Sequence, residues 1–321
     1  MKHLCATLLL FLFYLDSVAA QEPIKIGYPS TSYTTLPIVA AVRNGFFAQE
    51  GLRVELIRMA PNISIIALVN NQVEFVTVQG SIIRGAARGL PIKSVAVIAD
   101  RPVYYLVARE AVTSINALKG KTIGLNSLGG SAHLMTKELL AHYRLDPDKD
   151  VTMIVSGDHK SSIESVHVGQ IDATVVPVPW QVVSKKAGLK VVAYYGDVLR
   201  MPLGGLGASD EFIQKRGDTL KRVLRGTLKG IGFLRQKEKK SEVVKLMVDW
   251  FNVDSETAAD SYDQIILAYP PDGRTSTEVL EKDLEISRQL GAIKGTVPLS
   301  RVVNFKMLDE VARELGPKYA Q

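Results

Sequence analysis

Cysteine is nearly missing from this chain. Its 321 residues include one, Cys5, which cannot close an intrachain disulfide or complete a thiolate metal cage. Tryptophan occurs only at positions 180 and 250. The five histidines show no His-Glu-x-x-His or other metal-ligand spacing, so no metal site is expected. There is no Gly-x-Ser-x-Gly elbow for a hydrolase nucleophile. The loop Gly129-Gly130-Ser131 lacks the Gly-Lys-Ser/Thr ending that a nucleotide phosphate cradle requires. Neither sign of charge dominates: 39 Lys and Arg against 33 Asp and Glu give a formal +6. That balance permits an anionic ligand without demanding nucleic acid. Hydrophobic residues at 46% and charged residues at 22% suit a folded globular protein rather than a disordered, collagenous or coiled-coil one.

What is present begins with an address. Met1-Lys2-His3 precedes an apolar run from Leu4 to Leu15, and Val18 and Ala20 stand at the −3 and −1 positions of a cut before Gln21. A positive start, a short apolar middle and a small-residue end form the pattern of a secretory signal peptide, expected over residues 1–20. The run is too short for a spanning helix, and no later stretch approaches the length one needs. The mature chain is therefore expected to be exported, to lack cysteine and to touch a membrane only through a partner.

Beyond the leader, strands and helices alternate. Ile24, Ile26 and Tyr28 alternate with polar residues as a strand, a polar loop follows, and Pro37 suits the first turn of a helix. Strands are expected at Arg53–Arg58, Phe75–Val78 and Ser94–Ile98, with helices between them. The order returns about a hundred residues later, with strands at Lys121–Gly124, Val151–Val155 and Ala173–Val176. Gln72-Val73-Glu74-Phe75 is echoed by Gln170-Ile171-Asp172-Ala173. From about Lys215 the pattern is helical: Asp218–Lys239, Ser241–Phe251, Ser255–Ala268, Ser276–Gln289 and Asn304–Leu315. Thr275-Ser276-Thr277-Glu278 has capping-box spacing. This predicts an α/β protein of two lobes with mostly parallel sheets. In such sheets ligands bind outside the carboxyl ends of the strands.

Several segments resemble the periplasmic substrate-binding proteins of ABC importers, in the nitrate, sulfonate, taurine and thiamine-pyrimidine group. They are Ile26-Gly27-Tyr28, Asn44 to Leu52, Asn71 to Phe75, Leu118 to Gly124, Gly129 to His133 and Gly169 to Ala173. The resemblance spans nearly the whole mature chain. It implies the two-lobed periplasmic binding protein type II fold, with two hinge crossings, expected near Tyr104–Arg109 and Leu203–Ala208. Lobe one would be residues 21–107 and 203–321, and lobe two 108–202, with the helical C-terminal part packing on lobe one. It also implies a small-molecule solute in the cleft, a permease and its ATPase as partners, a monomer, and no cofactor.

Residue chemistry and resemblance point to the same loops. Ser32 and Tyr33 lie in the first, whose hydroxyls and following helix start can donate hydrogen bonds. Gln79-Gly80-Ser81 lies between a strand and a helix. Gly130-Ser131-Ala132-His133 opens a lobe-two helix. Helix starts offer unpaired N–H groups to an anion, and glycines let backbone come close. Ser131 read alone is an ordinary N-cap; the position that the resemblance gives it makes it a ligand contact. Trp180, after two prolines, can wall the cleft or fill a core. Arg101 offers a fork for carboxylate, sulfonate or phosphate, or is a surface residue. Of Tyr104 and Tyr105, one faces the cleft. Pro177 and Val178 stand where several relatives carry an aromatic and an acid, which counts against taurine-like zwitterions.

The reading that follows is a non-enzymatic receptor for a small, anionic organic solute: sulfonate, carboxylate, nitrate or pyrimidine class. Two alternatives stand beside it. One is an exported enzyme using His133 as a base on a pyrimidine or aromatic compound. The fungal thiamine-pyrimidine synthase of the same fold, however, relies on a cysteine-rich motif that the mature chain lacks. The other is a ligand sensor for a membrane kinase.

Overall fold

The computed structural model describes residues 20–319. The expected signal peptide, with Cys5, lies outside the described residues apart from Ala20. In chain order the first lobe contributes β1 (Glu22–Tyr28), α1 (Leu36–Arg43), α2 (Phe46–Gln49), β2 (Leu52–Arg58), α3 (Pro61–Val69), β3 (Phe75–Val78), α4 (Gln79–Ala87) and β4 (Ile92–Ala99). The second contributes β5 (Tyr104–Ala108), β6 (Lys121–Leu125), α5 (Ser131–His142), β7 (Val151–Val155), α6 (His159–His167), β8 (Ala173–Pro177), α7 (Trp180–Lys186) and β9 (Lys190–Tyr194). The chain then returns through β10 (Gly204–Ser209) to α8 (Asp210–Lys215), α9 (Gly217–Arg235), α10 (Lys240–Phe251), α11 (Ser255–Ile266), α12 (Thr277–Gln289), α13 (Leu299–Val302) and α14 (Lys306–Leu315).

Two five-stranded sheets result, ordered β2-β1-β3-β10-β4 and β7-β6-β8-β5-β9. In each, one strand runs against otherwise parallel neighbours: β10 against β3 and β4, and β5 against β8 and β9. These two strands are where the chain arrives from the other lobe. Tyr104 to Ala108 pairs fully with Pro177 to Ala173, so residues 104–107, expected in lobe one, belong to the second sheet. The segments expected to be crossings are thus interior strands. The chain passes between the sheets through 100–103 and again through 195–203. Hydrogen bonding decides this: a buried strand must pair its backbone on both sides, and each segment has neighbours on both sides only inside a sheet.

Each sheet has its own apolar core. Ile24, Ile26, Phe75, Val97 and Leu206 anchor the first, and Leu106, Ile123, Leu139 and Val175 the second. Helix α9 buries Leu220, Val223, Leu224, Leu228, Ile231 and Leu234, an i, i+3, i+4 stripe, against the first core. Each such side chain contributes about 1.5–3 kcal/mol on burial. Helix α12 serves both cores: Leu280 and Leu284 join the first, and Ile286 the second. The C-terminal helices therefore do not pack on lobe one alone. The α12 cap also differs from the expected box. Ser276, one residue later than Thr275, accepts from Val279 N–H at 3.3 Å.

Candidate functional site

The sheets put the starts of α4 and α5 face to face across the gap between lobes. Each follows a strand directly or through a short loop, and neither uses a side-chain cap: their N-caps are Val78 and Gly130. Ser131, an N-cap when read alone and a ligand contact by resemblance, is the first residue of its helix, so its hydroxyl is free of capping. A cavity of about 50 Å3 lies between these helix starts. Ser30, Thr34, Thr77 and Ser81 line it from the first lobe, and Asn126, Ser127, Gly130, Ser131 and Ala132 from the second. Tyr104, the first residue of β5, and Leu203, the last before β10, also line it. Its lining carries hydroxyl and amide groups and no ionisable acid or base apart from the Tyr104 phenol, whose pKa burial pushes up to about 12 and a hydrogen bond from Ser32 restrains. That phenol stays neutral at any ordinary pH. The Thr77 hydroxyl, buried at the end of β3, has no hydrogen-bond partner among the described residues.

Ser81, Tyr104, Gly130, Ser131 and Ala132 are thus brought together as the sequence suggests. The others stand elsewhere. Ser32 accepts from Thr34 N–H at 3.5 Å and caps a tight turn. The Tyr33 hydroxyl donates to Arg101 O at 3.0 Å and accepts from Val103 N–H at 3.1 Å, tying down the first crossing. Gln79 is buried behind the site, where its Oε1 accepts from the Ser94 hydroxyl at 2.9 Å. Gly80 presents a bare backbone face: a Cβ there would lie 2.4 Å from Ser131 Oγ. Arg101 points to solvent beside Asp100 at 3.8 Å and does not line the cavity, because Pro102 and the Tyr33 bonds hold its backbone while the side chain is left outside. His133 turns back on its own loop, its Nδ1 accepting from Gly129 N–H at 3.0 Å. Burial, then the Lys137 charge, lower its pKa, so it holds the glycine loop as a neutral ring.

Trp180 lies in a separate cleft of about 390 Å3 with Arg58, His159 and Trp250. Its Nε1 donates to Thr31 O across the lobes at 3.5 Å. It acts on the gap as a strut. Further contacts hold the lobes together: Arg58 with Asp158 at 3.7 Å, Tyr105 donating to Gln264 at 2.7 Å, and Lys186 with Asp254 at 3.2 Å. Ser30, Thr34, Thr77, Asn126 and Ser127 were missed as site residues. Ser30 and Thr34 lie in the polar loop after the first strand, Asn126 and Ser127 stand just before the Gly129-Gly130-Ser131 loop, and Thr77 alternates with Val76 and Val78 at a strand end. Among the described residues no cluster of side chains could hold a metal ion, and no helix is long and apolar enough to cross a membrane.

Two lobes, two crossings and a polar cavity between opposed helix starts define the periplasmic binding protein fold, and comparison agrees. The periplasmic nitrate-binding protein NrtA of Synechocystis PCC 6803 superposes with a TM-score of 0.79 over 91% of this chain and 89% of its own, at 16% identity. The model of the NMT1/THI5 like family matches residues 33–241, and the chain belongs to that family. A Bacillus subtilis (strain 168) protein, YtlA, described only by name as a binding protein, is 23% identical over 95% of this chain and 96% of its own length. The 4-amino-5-hydroxymethyl-2-methylpyrimidine phosphate synthase of Uromyces fabae is 30% identical over 157 residues, 47% of this chain and 44% of that enzyme.

Proposed function

We propose that the protein is a periplasmic solute receptor. It binds a small, anionic organic solute between its lobes and hands the closed complex to an ABC import permease and its ATPase, acting as a monomer. The observation that carries this is the convergence of the α4 and α5 N-termini, one from each lobe, on one hydroxyl-lined cavity. Free helix N–H groups and the partial positive charge there favour an anion. A ligand touching both lobes stabilises the closed arrangement over the open one, which is the signal a permease can read. Family membership and the shared fold support the same reading.

The test is thermal or chemical stabilisation across a library of sulfonates, carboxylates, nitrate and pyrimidines. A true solute at a hundred times its dissociation constant is expected to add about 2.7 kcal/mol. Silence across the library would sink the proposal. Ser131→Ala is expected to weaken binding by about tenfold, as the loss of one hydrogen bond to a charged group. Trp180→Ala should weaken it less, through the lost strut to Thr31, and unchanged affinity in both variants would mean the cleft is elsewhere.

The partial likeness to the pyrimidine phosphate synthase favours a second reading, an exported enzyme with His133 as base. Its ring nitrogen already accepts the Gly129 N–H and it does not line the cavity. Turnover of a pyrimidine that disappears in His133→Ala would replace the receptor reading with this one.

A further inference from the structure

The hydroxyl cavity adjoins a larger one of about 500 Å3, and Pro61, Ser81, Ser127 and Gly130 line both. The larger chamber is apolar: Ile65, Ile66 and Leu90 from one lobe face Leu128 from the other. Ile66 and Leu128 are each 54% exposed. Arg84 also lines this chamber, yet it is only 1% exposed. Its Nη2 donates across the lobes to Gly129 O at 3.3 Å, and its Nη1 has no hydrogen-bond partner among the described residues. Gly80, one turn earlier on the same helix, makes room for it. A Cβ at Gly80 would meet Arg84 Nη1 at 2.8 Å and Ser131 Oγ at 2.4 Å, so both groups press on the same bare backbone face. The free arm of the guanidinium therefore stands beside the α4 and α5 N-termini.

A buried guanidinium is costly unless an anion faces it. The charges acting on Arg84 are Arg88, which caps the end of its helix and also lines the chamber, and Asp283 on α12; the neutral His133 approaches from α5. Asp283 is fully buried and neither of its carboxyl oxygens has a hydrogen-bond partner among the described residues, so it attracts Arg84 without binding Nη1. One arm of the fork is thus committed to Gly129 and the other is buried with no partner among the described residues, a partner that the anion of a ligand would supply. Arginine pairs with carboxylate and sulfonate through such arms.

We propose that Arg84 is the specificity-determining counterion of the solute. The solute is an organic acid whose carboxylate or sulfonate head sits against Nη1, Ser131 Oγ and the helix amides. Its apolar body lies on Ile65, Ile66 and Leu128. This rests on the cleft being the solute site and goes further by naming head and body. A bare inorganic anion would leave the apolar chamber unused.

The test is titration calorimetry of wild type, Arg84→Gln and Arg84→Lys with hexanoate, hexanesulfonate, methanesulfonate, nitrate and the neutral hexanamide. Wild type is expected to prefer the six-carbon anions to hexanamide by about 10- to 100-fold, and Arg84→Gln to lose that preference while keeping its weak hexanamide affinity. Arg84→Lys, a charge without a fork, should fall between. Leu128→Ser on the exposed wall keeps the test independent of folding at a buried site. It should weaken hexanesulfonate by about threefold or more and leave methanesulfonate unchanged. Three results overturn the inference: equal wild-type affinity for hexanoate and hexanamide, undiminished anion binding in a folded Arg84→Gln, or binding of nitrate alone. Any of these leaves the receptor reading standing if the broader solute library yields a ligand, and that library decides the reading separately.

Discussion

Replacing His159 by phenylalanine is expected to make the protein more acid-tolerant, by roughly 2–3 kcal/mol at pH 4 relative to wild type. His159 opens α6, is buried against Trp180 with ring centroids 6.1 Å apart, and its Nε2 has no hydrogen-bond partner among the described residues. Burial lowers its pKa from 6.5 to about 4; Asp158 opposes that shift and Arg58 adds to it. The unfolded chain then takes up a proton before the folded one, so this contribution to stability is full above pH 6.5 and is lost as the pH falls towards 4. Asp283 works in the opposite sense. Burial raises its carboxyl from 3.8 to about 6, with Arg84 restraining the shift. The folded state binds this proton first, so stability is gained as the pH falls from about 6 to 3.8. In wild type the two slopes offset one another over most of that window. Asp283→Asn should expose the histidine and lose stability towards pH 4, while His159→Phe should expose the carboxyl and gain it. Urea denaturation at pH 7, 6, 5 and 4 on all three proteins checks this. A His159→Phe curve parallel to wild type would remove the histidine from the account. Carboxylates with lowered pKa, such as Glu22 and Glu50, are common to every variant and drop out of the differences.

Gly230→Ala is expected to cost about 2–3 kcal/mol, at the upper end for overpacking. Helices α1 and α9 cross so closely there that an added Cβ would lie 2.3 Å from Pro37 O and 3.0 Å from Ala41 Cβ. The obstacle is backbone, which cannot rotate away as a side-chain tip can. Pro37 belongs to the first turn of α1, directly after the segment that carries Thr34 into the cavity. The variant should therefore weaken solute binding as well as shift the denaturation midpoint, with an unchanged denaturant slope. A midpoint shift worth less than about 0.5 kcal/mol, the scale of an ordinary surface change, would show that the crossing relaxes freely.

The strands Phe75–Val78 and Val151–Val155 were legible to the residue, because β-branched and aromatic runs bounded by turns have little else to become. The α9 stripe was legible for the same reason of period. The role of 104–108 and 204–209 as interior strands was not. Tyr104-Tyr105-Leu106-Val107-Ala108 is apolar enough for a bridge or a strand, and only the partners β8 and β9 decide between them. Strand β9 itself went unread. Its Val191-Val192-Ala193-Tyr194 run is apolar enough to read as a strand; it is an edge strand that pairs on one side only and leaves these residues partly exposed. Within the site, loops were legible and side-chain directions were not. Arg101 lies in the crossing between two strands and Arg84 one turn into the helix after β3; chain position singled out Arg101, which does not line the cavity. What distinguishes Arg84 is the bare face of Gly80 and the approach of Gly129 from the other lobe, contacts between residues far apart in sequence.

Helix α12 has a mechanical consequence. Leu280 and Leu284 are rooted in one half of the molecule and Ile286 in the other. Unseating Ile286 would cost about 2 kcal/mol of apolar burial. The cheaper way for the halves to part is to turn about α12 as an axle, leaving both ends embedded. Displacement then grows with distance from that helix, so a probe on α12 at the exposed Glu281 would barely register an opening that separates Arg58 from Asp158.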